Sequence, residues 1–306
     1  MIPLIQRERN LQQISLEDEL GLIPEPTTEG GLLSFLYALV DAQIIHELGN
    51  PLSRDEISSM IPFSMTEQFL RYGFPNNNTV KQLLYEYVYN EITYPIFFQN
   101  YFYDPNIPDT YDTRNVVEQS SKSYAINETN LFSNQLNNAF WFLTSISSDN
   151  KIDTNRYLST IHENPTISRY QAIKTSLNHD NLPRNTKVPN MNFKNHIQNA
   201  VGYIENASEF ESVVYANSYH SYLSENRPYR YKTWVWSGKK HTRHRGMSGV
   251  SVPVYEPYNV VNDRTGETAQ LMFPRDYARD TTGANTVHCG CSELFTKSSD
   301  VNVERL

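Results

Sequence analysis

Two adjoining stretches decide the fold class: Phe193-Lys-Asn-His-Ile-Gln-Asn-Ala-Val-Gly-Tyr-Ile-Glu-Asn-Ala-Ser-Glu-Phe-Glu-Ser-Val-Val214, and then Lys232-Thr-Trp-Val-Trp-Ser237. In the first, Phe193, Ile197, Val201, Ile204, Phe210 and Val214 recur near a 3.6-residue period. That spacing predicts one long amphipathic helix over 193–226. In the second, β-prone residues alternate as in a strand, with Trp234 and Trp236 on one face. The period changes from 3.6 to 2 across one short connection. Beyond it, 252–261, the turn Asn262-Asp-Arg-Thr-Gly266 and 267–273 read as a β-hairpin.

Upstream the signals are helical. Leu32, Leu33, Phe35, Leu36, Leu39, Val40, Ile44 and Ile45 recur at helical spacing. Ser64-Met-Thr-Glu67 has the form of a capping box ahead of Phe69 and Leu70. Residues 80–102, around Pro95, predict a kinked helix or two short elements. Residues 129–146 predict a further helix containing Leu131, Leu136, Phe140 and Phe142, while 104–116 and 147–154 read as loops. The Pro- and Asn-rich segment 178–192 reads as a boundary. The expected fold class is therefore α+β: a largely helical N-terminal part, then a small α+β module with a long helix and a β-hairpin. The expected organisation is an acidic N-terminal arm over 1–30, a helical region over 31–180 and the module over 193–306.

Composition narrows the function classes. The 306 residues are 39% hydrophobic and 12% aromatic, which is the make-up of a folded chain. A net charge of −8 argues against a protein that coats nucleic acid generally. No secretory leader pattern is read at the N-terminus. The most apolar segment, 32–48, contains Asp41, Gln43 and His46 and is too short and polar to span a bilayer. Two Cys make no disulfide framework and point to a reducing compartment.

The chemistry-bearing residues gather in the last quarter. His241 and His244 form a His-x-x-His pair, and Cys289 and Cys291 form Cys-x-Cys after the hairpin. An i, i+3 pair shares one face of a helical turn, and an i, i+2 pair shares one face of an extended segment. A hairpin that joins them creates a candidate Cys₂His₂ site, the donor set Zn²⁺ takes in closed structural sites. His288 is a spare donor, and buried thiols with surface imidazoles are the plain alternative. A Cys nucleophile with a His base is a further reading, with no acid placed by the sequence to orient the base.

A second concentration is charge. Arg227, Arg230, Lys232, Lys239, Lys240, Arg243 and Arg245 fall in one run without Asp or Glu, interleaved with Tyr229, Tyr231, Trp234 and Trp236. Arg227, Arg230, Lys239, Lys240, Arg243 and Arg245 are the candidate nucleic-acid contacts. The alternative is a solvated loop beside a buried Trp strand. Gly246-Met-Ser-Gly249 reads as a tight turn, and Asp276 as a helix cap.

Taken in order, the long helix, Lys232-Thr-Trp-Val-Trp236, His244-Arg-Gly-Met-Ser-Gly249, the hairpin, Pro274-Arg-Asp276 and Asn285-Thr-Val-His-Cys-Gly-Cys291 resemble the Mu-F-like minor head protein family of tailed bacteriophages, the phage head morphogenesis family. The resemblance covers roughly residues 193–295. It places Glu209 at the Glu of the family's helix motif, His244, Met247 and Gly249 at its His, Met and Gly, and Cys289 and Cys291 at its closing pair. The chain departs from the pattern where Ala207 and Ser208 replace Arg-Thr, where His241 stands for Arg or Cys, and where His288 and Gly290 occupy the closing Asn and Arg positions.

The resemblance implies a non-enzymatic minor protein of the phage head. It would lie inside the capsid near the portal, after assembly in the host cytoplasm, and would aid head assembly and genome packaging or ejection. Its implied partners are the portal protein or major capsid protein and packaged double-stranded DNA, with no membrane. Structural zinc is the expected cofactor. The alternative expectation is a metal-dependent hydrolase or nuclease built on His241, His244 and Asp276.

Overall fold

The computed structural model describes residues 31–47, 77–147, 152–164, 167, 169–177, 193–238, 243–280, 282–286 and 289–298. The N-terminal arm, the capping box at Ser64 and the boundary segment 178–192 lie outside the described residues. The chain is α+β. Helices come first: α1 (Gly31–Glu47), α2 (Asn77–Val88), a π-helical turn (Tyr89–Thr93), α3 (Tyr94–Phe102), α4 (Tyr111–Ser147), α5 (Thr154–Glu163), α6 (Arg169–Ser176) and α7 (Phe193–Tyr222). The described strands follow: β1 (Tyr231–Val235), β2 (Ser251–Pro253), β3 (Tyr258–Val261), β4 (Thr268–Leu271) and β5 (Ser292–Thr296). No helix among the described residues is long and apolar enough to cross a membrane.

Pro95 explains the break between α2 and α3. Proline has no N–H to give, and its ring crowds the carbonyl four residues back. The chain widens instead of ending. The Tyr94 N–H bonds to Tyr89 O, one residue further than in an α-helix, and Pro95 then sits in the first turn of α3. The expected kink is this π turn.

The helix expected over 129–146 is 37 residues long and begins at Tyr111, inside a segment expected to be loop. Its buried stripe runs through Thr113, Val117, Ser121, Ala125, Glu128 and Phe132. The spacing is helical, but half of these residues are polar, so hydrophobic periodicity is silent there. Thr110 Oγ1 accepts the Thr113 N–H at 3.2 Å and caps the first turn. Leu131, expected inside, is 51% exposed, and Phe132 takes its place in the core.

Helix α7 is buried on two sides. Phe193, Ala200, Ile204 and Ala216 join the helical core with Leu36 and Phe97. A second face, with Gly202 and Asn206 at i, i+4, is also buried and receives the segment around Phe273. The Phe273 ring lies tilted against two rings of α7, with centroids 6.1 Å from Tyr203 and 5.7 Å from Phe210. A boundary at 193 therefore falls at the start of a helix that both parts share. The helix ends at Tyr222, short of 226, and Ser224 turns left-handed at φ 61° beyond it.

Strand β1 is the centre of an antiparallel sheet ordered β2-β1-β5, with Lys232 opposite Val252 and Trp234 opposite Glu293. The single strand expected over 252–261 is two. β2 pairs with β1, while β3 pairs with β4 as a hairpin in which Tyr258 faces Leu271 and Val261 faces Thr268. Between them the Glu256 N–H turns back to Pro253 O at 3.0 Å, and Pro257 has no N–H for a ladder. At the hairpin tip, the Gly266 N–H reaches Asn262 O at 2.8 Å with φ 73°, a conformation that favours glycine.

Among the described residues of the basic run, Lys232 is fully enclosed. It donates to Met272 O and lies 4.8 Å from the Phe210 ring and 5.0 Å from the Tyr258 ring. Burial pulls its pKa down to about 8. Asp276, expected as a helix cap, precedes no described helix. It is buried, and its Oδ2 accepts the Met272 N–H at 3.0 Å.

Glu128 sits in α4 within electrostatic reach of Tyr203 and Tyr277, and burial raises its pKa to about 7. The native state therefore favours its protonated form. Its contribution is fully present below pH 4.5 and is lost as pH rises through about 7. Denaturant unfolding at pH 5 and pH 8 should show wild type losing about 3 kcal/mol more than Glu128→Gln over this interval. Equal losses would contradict the assignment.

Candidate metal centre

His244 stands just before a short 3₁₀ turn (Arg245–Met247) that leaves β1 and returns to β2. The turn is pinned to the strand: the Gly249 N–H meets Trp234 O, and the Trp234 N–H meets Val250 O, each at 2.9 Å. Gly249 has φ 83°, which fits the tight turn expected at 246–249. The hairpin tip joins it through Asp263, whose Oδ2 accepts the Gly246 N–H at 3.3 Å. Cys289 and Cys291 enter from the other side, on the segment that leads into β5.

These three residues converge. Their nearest donor atoms lie within 4.8 Å of one another and form a group that could hold a metal ion. His244 Nδ1 is 3.4 Å from Cys289 Sγ and 4.0 Å from Cys291 Sγ, across forty-five residues or more of sequence. Exposure is 1% for His244, 4% for Cys289 and 3% for Cys291. His241 and His288 lie outside the described residues.

The imidazole is oriented from behind. Asn285 Oδ1 lies 3.3 Å from His244 Nε2 and accepts its N–H, the tautomer that leaves the Nδ1 lone pair facing the two sulfurs. Asn285 is in turn fixed by Asp280, whose Oδ2 takes the Asn285 N–H at 2.7 Å and the Thr286 hydroxyl at 3.1 Å. Burial pulls the Asp280 carboxyl upward, but these hydrogen bonds and that of Thr282 outweigh it and hold it below its usual range. Trp234 stands edge-on to the His244 ring, with centroids 5.4 Å apart.

The sulfurs are inequivalent. The thiol of Cys289 hydrogen-bonds to Cys291 and so favours the Cys291 thiolate, with His244 and Trp234 adding to the effect; the Cys291 pKa falls to about 5. Cys289 moves the other way, through the same bond and through burial. Metal binding requires both sulfurs as thiolates, so the downward shift of Cys291 favours it and the upward shift of Cys289 opposes it. The buried indole N–H of Trp234 has no partner in hydrogen-bond geometry, a donor left for the neighbouring sulfur.

The basic candidates divide. Arg227 and Arg230 are exposed at the start of β1, and Arg245 is exposed beyond its end. Arg227 lies 5.5 Å from the Tyr255 ring and Arg245 5.8 Å from the Trp236 ring. Arg243 is half-buried and donates to Ala284 O, so its guanidinium serves the loop that carries Asn285. Lys239 and Lys240 lie outside the described residues.

Asn285, Asp280 and Trp234 complete the surroundings of the ligands. The spacing of His and Cys does not reveal the support that Asn285 and Asp280 give. The available signal was the Asp280–Thr286 cluster of turn-forming side chains just ahead of Cys289. Replacing Asn285 with Ala should weaken divalent-metal binding about 10- to 100-fold while leaving the fold intact. Competition against a chromophoric chelator measures this, and wild-type affinity in the variant would show that His244 needs no such orientation.

The chain matches no protein-family model, no curated protein and no solved structure.

Proposed function

We propose that this protein is a minor structural component of a tailed-bacteriophage head, with a C-terminal module closed by a structural zinc ion. The single observation that carries the reading is the convergence of His244, Cys289 and Cys291. All three lie at positions that resemble the family pattern. Two thiols and an imidazole are the donors that suit Zn²⁺. Their burial suits an ion that holds a fold together more than one that meets a substrate. His241 is proposed as the fourth ligand.

In this reading the helical part and the acidic arm contact the portal or the capsid wall. Arg227, Arg230 and Arg245 face packaged double-stranded DNA, with Lys239 and Lys240 as proposed additions. The protein works inside the capsid after assembly in the host cytoplasm. A metal-dependent hydrolase is the second reading, favoured by one observation: three donors, rather than four, are assembled among the described residues.

Two measurements test the proposal. Quantitative mass spectrometry of purified particles should find a few to a few dozen copies, scaling with the portal and not with the major capsid protein. Absence from mature particles would overturn the virion assignment. Zinc analysis of the purified full chain should give one ion per molecule, and chelation should lower its melting temperature by several degrees. Cys291→Ser should lower the melting temperature in the same way. If it instead spares the melt and abolishes a metal-dependent cleavage of nucleic acid, the hydrolase reading takes over.

A further inference from the structure

The Cys289–Cys291 segment turns its thiols toward His244, and both of its cysteine carbonyls are met by side chains anchored on α7. Asn206, buried in the middle of α7, donates Nδ2–H to Cys291 O at 3.4 Å and to Pro274 O at 3.0 Å. Arg275 donates its Nε–H to Cys289 O and reaches Gln198 O on α7 with Nη1 at 3.4 Å.

Arg275 adopts this position against local preference. It is a non-glycine residue with φ 68°, in the left-handed region. Its guanidinium lies directly over Gly202, where a built β-carbon would stand 1.5 Å from Nη1 and 2.3 Å from Cζ. A glycine in the interior of a helix is otherwise unfavourable. Here it leaves the room through which the guanidinium crosses α7.

We propose that Asn206 and Arg275 are positioning residues of the metal centre. They hold the backbones of Cys289 and Cys291 against α7, so that a thiophilic divalent cation bound by His244, Cys289 and Cys291 fastens the strand module to the helical part. The inference rests on the metal reading above. Neither residue touches the ion; each fixes the peptide group of one ligand. Partners of this kind set ligand orientation and strongly affect affinity. Gly202 is the third member, because it makes room for Arg275.

Co²⁺ titration of the full chain tests this, with the thiolate-to-cobalt charge-transfer band as readout and a chelator as competitor. Asn206→Asp keeps the size and loses the donor. Arg275→Lys loses the fork. Gly202→Ala displaces the guanidinium without altering any ligand. Each should weaken Co²⁺ binding about 10- to 100-fold and change the charge-transfer band, while the control Asn259→Asp, on the exposed face of β3, binds as wild type.

Gly202→Ala separates positioning from packing. If Arg275 only fills space, the alanine improves the helix, raises the melting temperature of the metal-free protein and leaves Co²⁺ binding unchanged. That result overturns the proposal. Should Asn206→Asp fail to fold, the other two variants carry the decision. A wild-type chain with no charge-transfer band removes the metal reading itself, a failure distinct from wild-type-like binding by the variants.

Discussion

Carbonyl groups taken out of water with Cys289 and Cys291 need donors, and the way they get them constrains the rest of the molecule. The donors are Asn206 on α7 and Arg275, which lies across Gly202. Helix α7 therefore gives Asn206, the space over Gly202 and the rings of Tyr203 and Phe210 to the strand module, while Phe193, Ala200, Ile204 and Ala216 join the helical core. A helix with two buried faces cannot carry the simple apolar stripe of a surface helix. This is why α7 carries Gly202 and Asn206 buried at i, i+4 on one face, where a surface helix presents polar residues to solvent. The segment 273–277 is seated by the same face, through Phe273 and the carbonyl of Pro274.

The strand module has a modest apolar interior: Trp234, Met247, Tyr258, Val260 and Leu271 with the two cysteines. Part of what surrounds it is polar. Lys232 is buried there over two aromatic rings, and burial pushes the Glu293 carboxyl on β5 well above its usual range. Small cores with polar inclusions gain little from area alone and commonly rely on a cross-link. A metal bridging His244 to Cys289 closes a loop of 45 residues, and a covalent bridge over that span would stabilise by about 4 kcal/mol in the chain-entropy picture. The hairpin β3–β4 lies inside that loop, so its attachment to the sheet gains from the closure.

Legibility followed side-chain chemistry. The change of period between 193–226 and 232–237 announced the α+β class because the apolar residues themselves changed spacing. His244, Cys289 and Cys291 were visible as a donor set. What stayed hidden used polar or small residues for structural work. The first half of α4 buries Thr113, Ser121 and Glu128, which no hydrophobic pattern marks. Lys232 reads as one more charge in a basic run, yet its aliphatic stem and ammonium are enclosed by Phe210 and Tyr258. Arg243 similarly reads as a phosphate contact, and its guanidinium is spent on Ala284 O. Arg275 and Gly202 stand 73 positions apart in sequence and become informative only when the guanidinium is seen over the helix. The strand expected over 252–261 failed at Pro257, where a missing N–H let the chain change partners.

The three tryptophans occupy three different surroundings. Trp141 is 80% exposed, Trp236 is half-buried beneath Arg245, and Trp234 is sealed in the interior with its edge toward His244. An indole shielded from water emits at shorter wavelength than one in solvent. The blue edge of the native emission thus belongs to the residue that touches the donor cluster, and the red edge to one far from water-excluding contacts. The molecule carries its own optical gauge of the donor cluster, with an internal reference for solvent.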